Sequence, residues 1–240
     1  MVVPTPRRVV MKLSGEALAN NTQTGLCDQQ LRLMSQQIIQ AVKAGVQIGL
    51  VVGGGNFMRG AASLSTLIDR NTADQIGMLA TVMNALALGD VLNYLGQKVE
   101  IFSAIEIPGV CPRFNAKKAI QAMESGAVLI FAAGTGNPFC TTDSAAALRA
   151  IEIQAQCVIK ATKVDGIYNK DPKKYSDAVR YDTLSFDQAL TQKLEVMDLG
   201  AFTLCQSFNL PIFVMDLYQP QAIYKALVGE INSGLGTLVS

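Results

Sequence analysis

Short apolar runs alternate with longer segments of helical period from one end of the chain to the other. The apolar runs predict strands at 8–13, 46–52, 99–103, 128–133, 157–161 and 212–215. The longer segments predict helices at 28–44, 73–95, 115–126, 144–153 and 219–230, shorter helices around Phe186 and Phe202, and a polar loop at 162–182. Strands that are apolar throughout and separated by helices indicate a parallel sheet covered on both faces. We therefore expect an α/β fold, a three-layer α/β/α sandwich with a mostly parallel central sheet, over residues 1–240 as a single domain.

The charge balance gives no indication of a nucleic-acid or membrane partner. The chain carries 20 basic and 19 acidic side chains, whereas proteins that bind nucleic acids or anionic membranes usually carry an excess of Lys and Arg. No signal-like segment follows the N-terminal residues, and no apolar run approaches the length of a membrane span. Five scattered cysteines without a C-x-x-C pair are typical of reduced thiols. We therefore expect a cytoplasmic protein with no nucleic-acid or membrane partner.

The absence of histidine narrows the chemistry further. Ser-His-Asp and Cys-His catalysis, H-E-x-x-H zinc sites and imidazole general bases are all excluded. What remains is Lys, Arg, Asp, Thr, backbone amides and a hard metal ion. These groups are typical of phosphoryl transfer.

The glycine-rich and polar loops each follow a predicted strand, at 14–15, 53–56, 134–142 and 163–171. Ligands of open α/β sheets bind beyond the carboxyl ends of the strands. We therefore expect these loops to meet at one edge of the sheet and to form a single composite site.

Two of the loops are suited to phosphate. Lys12 ends the first strand before Ser14-Gly15, which places an ammonium beside free backbone N–H groups, although a surface Lys before an ordinary turn has the same pattern. Gly53-Gly54-Gly55-Asn56 permits close approach of the backbone to an anion, and Arg59 adds a planar donor. Neither a Walker A loop nor a dinucleotide fingerprint occurs in the chain.

The other two loops offer groups for a base, a ribose or, in the loop after residue 133, an acceptor phosphate. The loop at 134–144 combines glycines, threonine hydroxyls, an Asn amide and Asp143, which is either a helix cap or part of the site. Tyr168 is a candidate for stacking on a base in the loop at 160–172, which is otherwise interpretable as a solvated charged loop. Asp74 is either a cap or a ribose ligand, and Asp198 either ends a strand or belongs to the site.

Taken together, these segments resemble the bacterial-type uridylate (UMP) kinases, members of the amino-acid kinase fold family. The matching stretches run in the family's order and cover most of the chain: KLSGEAL, VVGGGNFMRG, IGMLATVMNALA, AAGTGNPFCTTDSAAALRAIEI, KATKVDGIYNKDP, VMDLGAFTL and LPIFVMD. The combination of GTGNPF-x-TTDSAA with KATKVDG distinguishes this group from relatives of the same fold that phosphorylate acetylglutamate, glutamate or aspartate.

The resemblance implies roles for individual residues. It implies catalytic roles for Lys12, Asp143 and Lys160. It implies ATP-binding roles for Lys12, Leu13, Ser14, Gly15, Gly55, Arg59, Thr162, Tyr168 and Asp171. It implies UMP-binding roles for Gly54, Asp74, Thr135, Gly136, Asn137, Pro138, Phe139, Cys140, Thr141 and Thr142.

The resemblance also implies a reaction and an assembly. The expected reaction is phosphorylation of UMP by ATP, with Mg²⁺ held mainly through the ATP phosphates and no dedicated metal ligands. A homohexamer inhibited by UTP is implied as well. Some relatives present arginines for GTP near the positions held here by Gly89, Glu100 and Ala127. None of these three residues is basic, which argues against activation by GTP. Two alternatives stay open: an enzyme of the same fold that phosphorylates an amino-acid carboxylate, and a non-catalytic nucleotide-binding regulator.

Overall fold

A computed structural model describes residues 8–20, 24–58, 67–172, 174–231 and 234–240. It contains the strands β1 Arg8–Leu13, β2 Gln47–Val52, β3 Val99–Ser103, β4 Val128–Ala132, β5 Cys157–Thr162, β6 Ile167–Tyr168, β7 Arg180–Tyr181, β8 Thr183–Leu184, β9 Ile212–Asp216 and β10 Gly236–Val239. Eight of them form one sheet in the order β3-β4-β2-β1-β5-β9-β10-β8. Every pair in this sheet is parallel except β9 with β10. The predicted mostly parallel sheet is confirmed.

Helices cover both faces of this sheet. They are α1 Asp28–Lys43, α2 Arg70–Tyr94, α3 Ala116–Glu124, α4 Thr142–Glu152, α5 Phe186–Thr191, α6 Leu199–Ser207 and α7 Ala222–Leu227. One apolar core joins α1, α2 and α7 to the sheet, for example Ile38 and Leu88 with Met11. A second core joins α3, α4 and α6 to the other face through residues such as Phe131 and Phe202. These two cores give the three layers that the sequence pattern predicts.

Side-chain caps explain why two helices begin earlier than predicted. Asp69 accepts a hydrogen bond from the Thr72 amide, so α2 begins at Arg70 and not at residue 73. The Thr141 hydroxyl accepts hydrogen bonds from the amides of Asp143 and Ser144, so α4 begins at Thr142. The helix predicted at 28–44 begins as expected, with Asp28 as its first helical residue after Cys27, and ends at Lys43.

The segment predicted as a polar loop at 162–182 contains a short antiparallel pair, in which Ile167 pairs with Tyr181. The strands β8 and β10 were also missed. Two-residue strands carry no period that a sequence can reveal, and β10 is defined by its antiparallel pairing with β9 and not by its own composition. β10 and β8 extend that side of the sheet, and β8 is its edge strand.

One helix, α2, is long and apolar enough by length and composition to cross a membrane, and 44% of that window is buried inside the fold. The core helix of a globular protein passes the same test. In this fold Leu88 and Leu92 of α2 are fully buried against the sheet. On the opposite side of the helix Leu79 and Met83 are about half exposed, at 50% and 49%.

Candidate active site

A cavity of about 310 Å³ opens at the carboxyl ends of β1, β2 and β4. Its walls come from the loops that follow these strands and from the first turns of α2. The lining residues are Lys12, Ser14, Gly15, Gly53, Gly54, Gly55, Met58, Ala73, Asp74, Gly77, Met78, Thr81, Gly134, Thr135, Asn137, Cys140, Thr141 and Thr142. The structure thus brings together eleven of the residues for which the resemblance implies a role: Lys12, Ser14, Gly15, Gly54, Gly55, Asp74, Thr135, Asn137, Cys140, Thr141 and Thr142.

Two lysines lie side by side beneath this cavity. Lys12 of β1 is in direct register with Lys160 of β5, so their side chains leave the same face of the sheet on neighbouring parallel strands. Such strands lie only about 4.8 Å apart, and like charges placed directly opposite each other destabilise a sheet. The two adjacent lysines therefore require a counter-charge. Such a pair of lysines is typical of a site that binds an anion.

Asp143 supplies that counter-charge. Lys160 Nζ donates to one carboxylate oxygen at 2.7 Å, and Lys12 Nζ lies 2.9 Å from the other. The Lys12 contact is therefore a close ion pair between side chains that are both largely buried. Burial by itself would raise the pKa of Asp143, but the charges of the two lysines outweigh it and hold the pKa below its usual value. The cluster therefore pairs one carboxylate with two ammonium groups, which leaves an excess of positive formal charge at this point of the site.

Neighbouring residues fix the position of Asp143. Thr141, not Asp143, caps α4, so the interpretation of Asp143 as a plain helix cap is wrong and its carboxylate is free to face the lysines. Asp198 caps α6 and also accepts hydrogen bonds from the hydroxyls of Thr141 and Ser144. It therefore ties the two helices together at the start of α4. The Val196 carbonyl accepts a further hydrogen bond from Lys160 at 2.8 Å.

The phosphate-side loops pack too closely for side chains. A Cβ on Gly15 would lie 2.4 Å from the Gly53 carbonyl oxygen, and one on Gly54 would lie 2.8 Å from the Gly77 carbonyl oxygen. These glycines let the loop after β1, the loop after β2 and helix α2 approach one another directly. The backbones of these loops therefore line one concave surface together with Lys12, a setting suited to an anion.

The loop between β4 and α4 has an unusual backbone held by an acidic side chain. Ala133 and Phe139 both have positive φ, at 61° and 65°, a region that costs a non-glycine residue about 1 kcal/mol or more. Asp74 accepts a hydrogen bond from the Phe139 amide at 2.8 Å and pairs with Arg70 one turn earlier. Because Asp69 is the cap of α2, Asp74 is not a cap, and its carboxylate holds this loop against the cavity.

A second group of predicted residues lies beside the cavity and not in its lining. Thr162 Oγ1 accepts from the Val164 amide, and the Tyr168 hydroxyl donates to Asp165 at 2.9 Å. Burial and the Asp165 carboxylate raise the pKa of Tyr168, which keeps this phenol protonated as a donor. The Asp171 carbonyl accepts from the Tyr175 amide and turns the chain there. An ion pair of 2.6 Å between Lys163 and Glu16 joins this region to the loop after β1.

The remaining predicted residues have other placements. The Leu13 side chain is fully buried in the core, so only its backbone faces the loops. Gly136 and Pro138 belong to the loop after β4 outside the cavity lining, and the Phe139 ring is 70% exposed beside Arg70. Arg59 lies outside the described residues.

Sequence reasoning missed two polar side chains of α2, Thr81 and Asn84. They are 4% and 0% exposed and bond to the loops that surround the cavity. A signal was available, because the two residues interrupt an otherwise apolar stretch, MLATVMNALAL, at a spacing that puts both on one helix face. A polar residue on the apolar face of a predicted helix indicates a side chain that is buried with a specific partner.

Comparisons with known proteins agree with this architecture. The model of the amino acid kinase family matches residues 7–216. A protein of Xanthomonas oryzae pv. oryzae named uridylate kinase is 51% identical over 233 residues, which cover 97% of this chain and 96% of that protein. The crystal structure of UMP kinase from Ureaplasma parvum superposes with a TM-score of 0.91 at 38% identity, covering 97% of this chain and 98% of the other. A UMP kinase structure from Bacillus anthracis has a TM-score of 0.92 at 33% identity, covering 98% and 96%. The chain therefore belongs to the amino acid kinase family, within its group of uridylate kinases.

Proposed function

We propose that this protein is a UMP kinase, which transfers the γ-phosphoryl group of ATP to UMP and yields UDP and ADP for pyrimidine nucleotide biosynthesis. The observation that carries the proposal is the pair of adjacent lysines bridged by Asp143, at the edge of the sheet where the glycine loops and the loop after β4 line the cavity. The names of the relatives support UMP as the acceptor.

In this proposal the two lysines stabilise the charge of the transferring phosphoryl group. Its transition state is loose and spreads negative charge over the equatorial oxygens, so catalysis consists of positioning and electrostatic stabilisation. Lys12 and Lys160 stand next to each other at the ends of β1 and β5 and approach the group together. The amides after Ser14 and after Gly53 add neutral donors from the phosphate side.

Asp143 orients the lysines and is not a general base. The phosphate of UMP is already ionised and needs no proton removed, and both carboxylate oxygens are held by ammonium groups. Among the described residues no three His, Cys, Asp or Glu side chains gather as a metal site. The residues of the site fit a Mg²⁺ ion that would be held mainly by ATP oxygens and water. Such an ion would neutralise charge on the β- and γ-phosphates.

We assign the cavity beside α2 to UMP and the region beyond β5 to the adenosine of ATP. The cavity wall offers Asp74 and the hydroxyl and amide groups of Thr135, Asn137 and Thr142, which suit a ribose and a uracil edge. Thr162, Tyr168 and Asp171 lie at the other end, past the two lysines. The two substrates therefore meet above Lys12 and Lys160.

An acceptor panel tests this function. The assay measures ADP release from ATP and Mg²⁺ with UMP, CMP, dTMP, AMP, glutamate or aspartate as the acceptor. We expect strong turnover with UMP only. Turnover with an amino acid would retain the fold and the ATP site but overturn the acceptor assignment, and ATP binding without any turnover would favour a regulator.

Alkylation of Cys140 is a further test of the acceptor cavity. Cys140 is the exposed thiol that lines it, whereas burial raises the pKa of Cys157 and of Cys205 to about 12 and keeps both unreactive. We expect iodoacetamide to inactivate the enzyme by modifying Cys140, and saturating UMP to slow the loss at least about fivefold, as a bound ligand occludes its site. Peptide mass mapping locates the adduct. A Cys27→Ser variant removes the partly exposed thiol outside the site and should be inactivated by iodoacetamide at the rate of wild type. Protection by ATP alone would contradict the assignment.

We also propose a homohexamer, a cytoplasmic location and a single domain. The half-exposed apolar face of α2, with Leu79 and Met83, supports burial against a second copy. The free cysteines support a reducing compartment. The last strand of the chain, β10, lies in the same sheet as the first, β1, which supports one domain. Light scattering should give a mass six times that of the 25.6 kDa chain, and a monomer would overturn the assembly.

For regulation we propose inhibition by UTP, which shares the uracil and ribose of UMP, and no activation by GTP. Gly89 supports the second point, since it is buried and carries no basic side chain for a GTP phosphate. Ala127 is likewise buried.

A further inference from the structure

Helix α2 carries two buried polar side chains less than one turn apart on the side that meets the active-site loops. Thr81 is 4% exposed and Asn84 is fully buried. A buried polar side chain lowers stability unless it is hydrogen-bonded. Each of these two bonds to a different loop, and both loops line the cavity.

Thr81 holds the start of the loop after β4. Its hydroxyl accepts from the Ala133 amide at 2.8 Å and donates to the Met78 carbonyl at 2.7 Å. Ala133 is buried with a φ of 61°, and a non-glycine residue persists in that region only when its surroundings hold it. The hydroxyl of Thr81 therefore sets where the acceptor-side loop begins.

Asn84 holds the start of the glycine loop. Its amide donates to the Gly53 carbonyl at 2.7 Å and exchanges two hydrogen bonds with the amide of Asn56, at 2.7 and 2.9 Å. Asn56 donates in addition to the Gly25 carbonyl. This buried amide pair satisfies its own groups and fixes the loop that lies beside Lys12.

We propose that Thr81 and Asn84 are positioning residues that set the distance between the acceptor loop and the glycine loop. The helix between them is a rigid spacer, with the two side chains about 4.5 Å apart along its axis. Transfer between two bound substrates depends steeply on their separation. The inference rests on the proposed UMP kinase activity, which assigns the loop after β4 to UMP and the glycine loop, with Gly54 and Gly55, to the place where the two substrates meet.

The test compares the effects of four variants on the two KM values. Thr81→Val keeps the side-chain shape but removes the acceptor for Ala133, so we expect the KM for UMP to rise about tenfold, the scale of one hydrogen bond, with the KM for ATP nearly unchanged. Thr81→Ser restores the hydroxyl and should return the KM for UMP towards wild type. Asn84→Ala should instead raise both KM values, because the glycine loop that it holds carries Gly54, assigned to UMP, and Gly55, assigned to ATP.

Leu88→Ala is the control for a loss of stability alone, because Leu88 is an apolar core residue of the same helix. It should lower the melting temperature and leave the ratio of the two KM values unchanged. Equal rises in both KM values for Thr81→Val, or no recovery in Thr81→Ser, would overturn the inference. If Asn84→Ala does not fold, the Thr81 pair alone decides. A wild-type enzyme that does not phosphorylate UMP would instead defeat the proposed function itself.

Discussion

Replacing Lys12 by alanine should lower kcat for UMP phosphorylation by at least about two orders of magnitude, the scale of one preorganised charge donor. The loss should arise in the chemical step, because Lys12 approaches the transferring group and its charge is most useful in the transition state. The measurement is the steady-state rate of ADP release at saturating ATP and UMP.

The fold should survive this change. Asp143 keeps Lys160 as its partner at 2.7 Å, and the variant relieves the repulsion between two cross-strand lysines. Lys98→Ala is the matched control, since Lys98 is an exposed lysine that bonds to Ser125, at the opposite ends of the strands from the cavity. A near-normal kcat for Lys12→Ala, or an equal loss for Lys98→Ala, would remove Lys12 from the catalytic centre.

Replacing Asp143 by asparagine should also lower kcat, by about tenfold to a hundredfold. The asparagine has the same shape but no charge, so the neighbouring lysines repel each other and no longer converge on one position. We expect a smaller change in the two KM values than in kcat, because the glycine loops and the loop after β4 still bind the substrates. An unchanged kcat would contradict the role of Asp143 as the group that orients both lysines.

The same variant should change the pH dependence of stability. The pKa of Asp143 is lower in the folded protein than in the unfolded chain, so the carboxylate stabilises the fold above about pH 4, and this contribution is lost as the pH falls towards the folded value. The free energy of unfolding is measured with denaturant at pH 7 and near pH 3. At pH 7 it should be larger for wild type than for Asp143→Asn. The difference should shrink at the lower pH, and a difference that grows in acid would contradict the assignment.

Much of the site follows from local sequence because its parts lie in short continuous segments. The lysines end apolar strands, and the glycines follow the strand next to the first. Parallel pairing then brings these segments to one edge, as the position rule for α/β sheets predicts. The burial of Leu13 in the core is explained by the same alternation along β1 that turns Lys12 towards the site.

The features that sequence analysis did not predict depend on contacts between distant residues. Asp143 meets Lys12 across 131 positions of the chain, the difference between 143 and 12, and Thr81 meets Ala133 across 52. Neither partner can be read from local spacing. The start of α4 was misplaced for a related reason, since Thr141 competes with Asp143 as a cap and only the structure decides between them.

The transfer of the γ-phosphoryl group itself is the most direct measurement. ATP labelled with ³²P at the γ-position is incubated with Mg²⁺, UMP and the enzyme, and the products are separated by anion-exchange chromatography. The account predicts that the label leaves ATP and appears in UDP, with one UDP for each ADP. Label found only in inorganic phosphate, or label that stays in ATP while both nucleotides are bound, would contradict the proposal that Lys12, Lys160 and Asp143 form a centre for phosphoryl transfer to UMP.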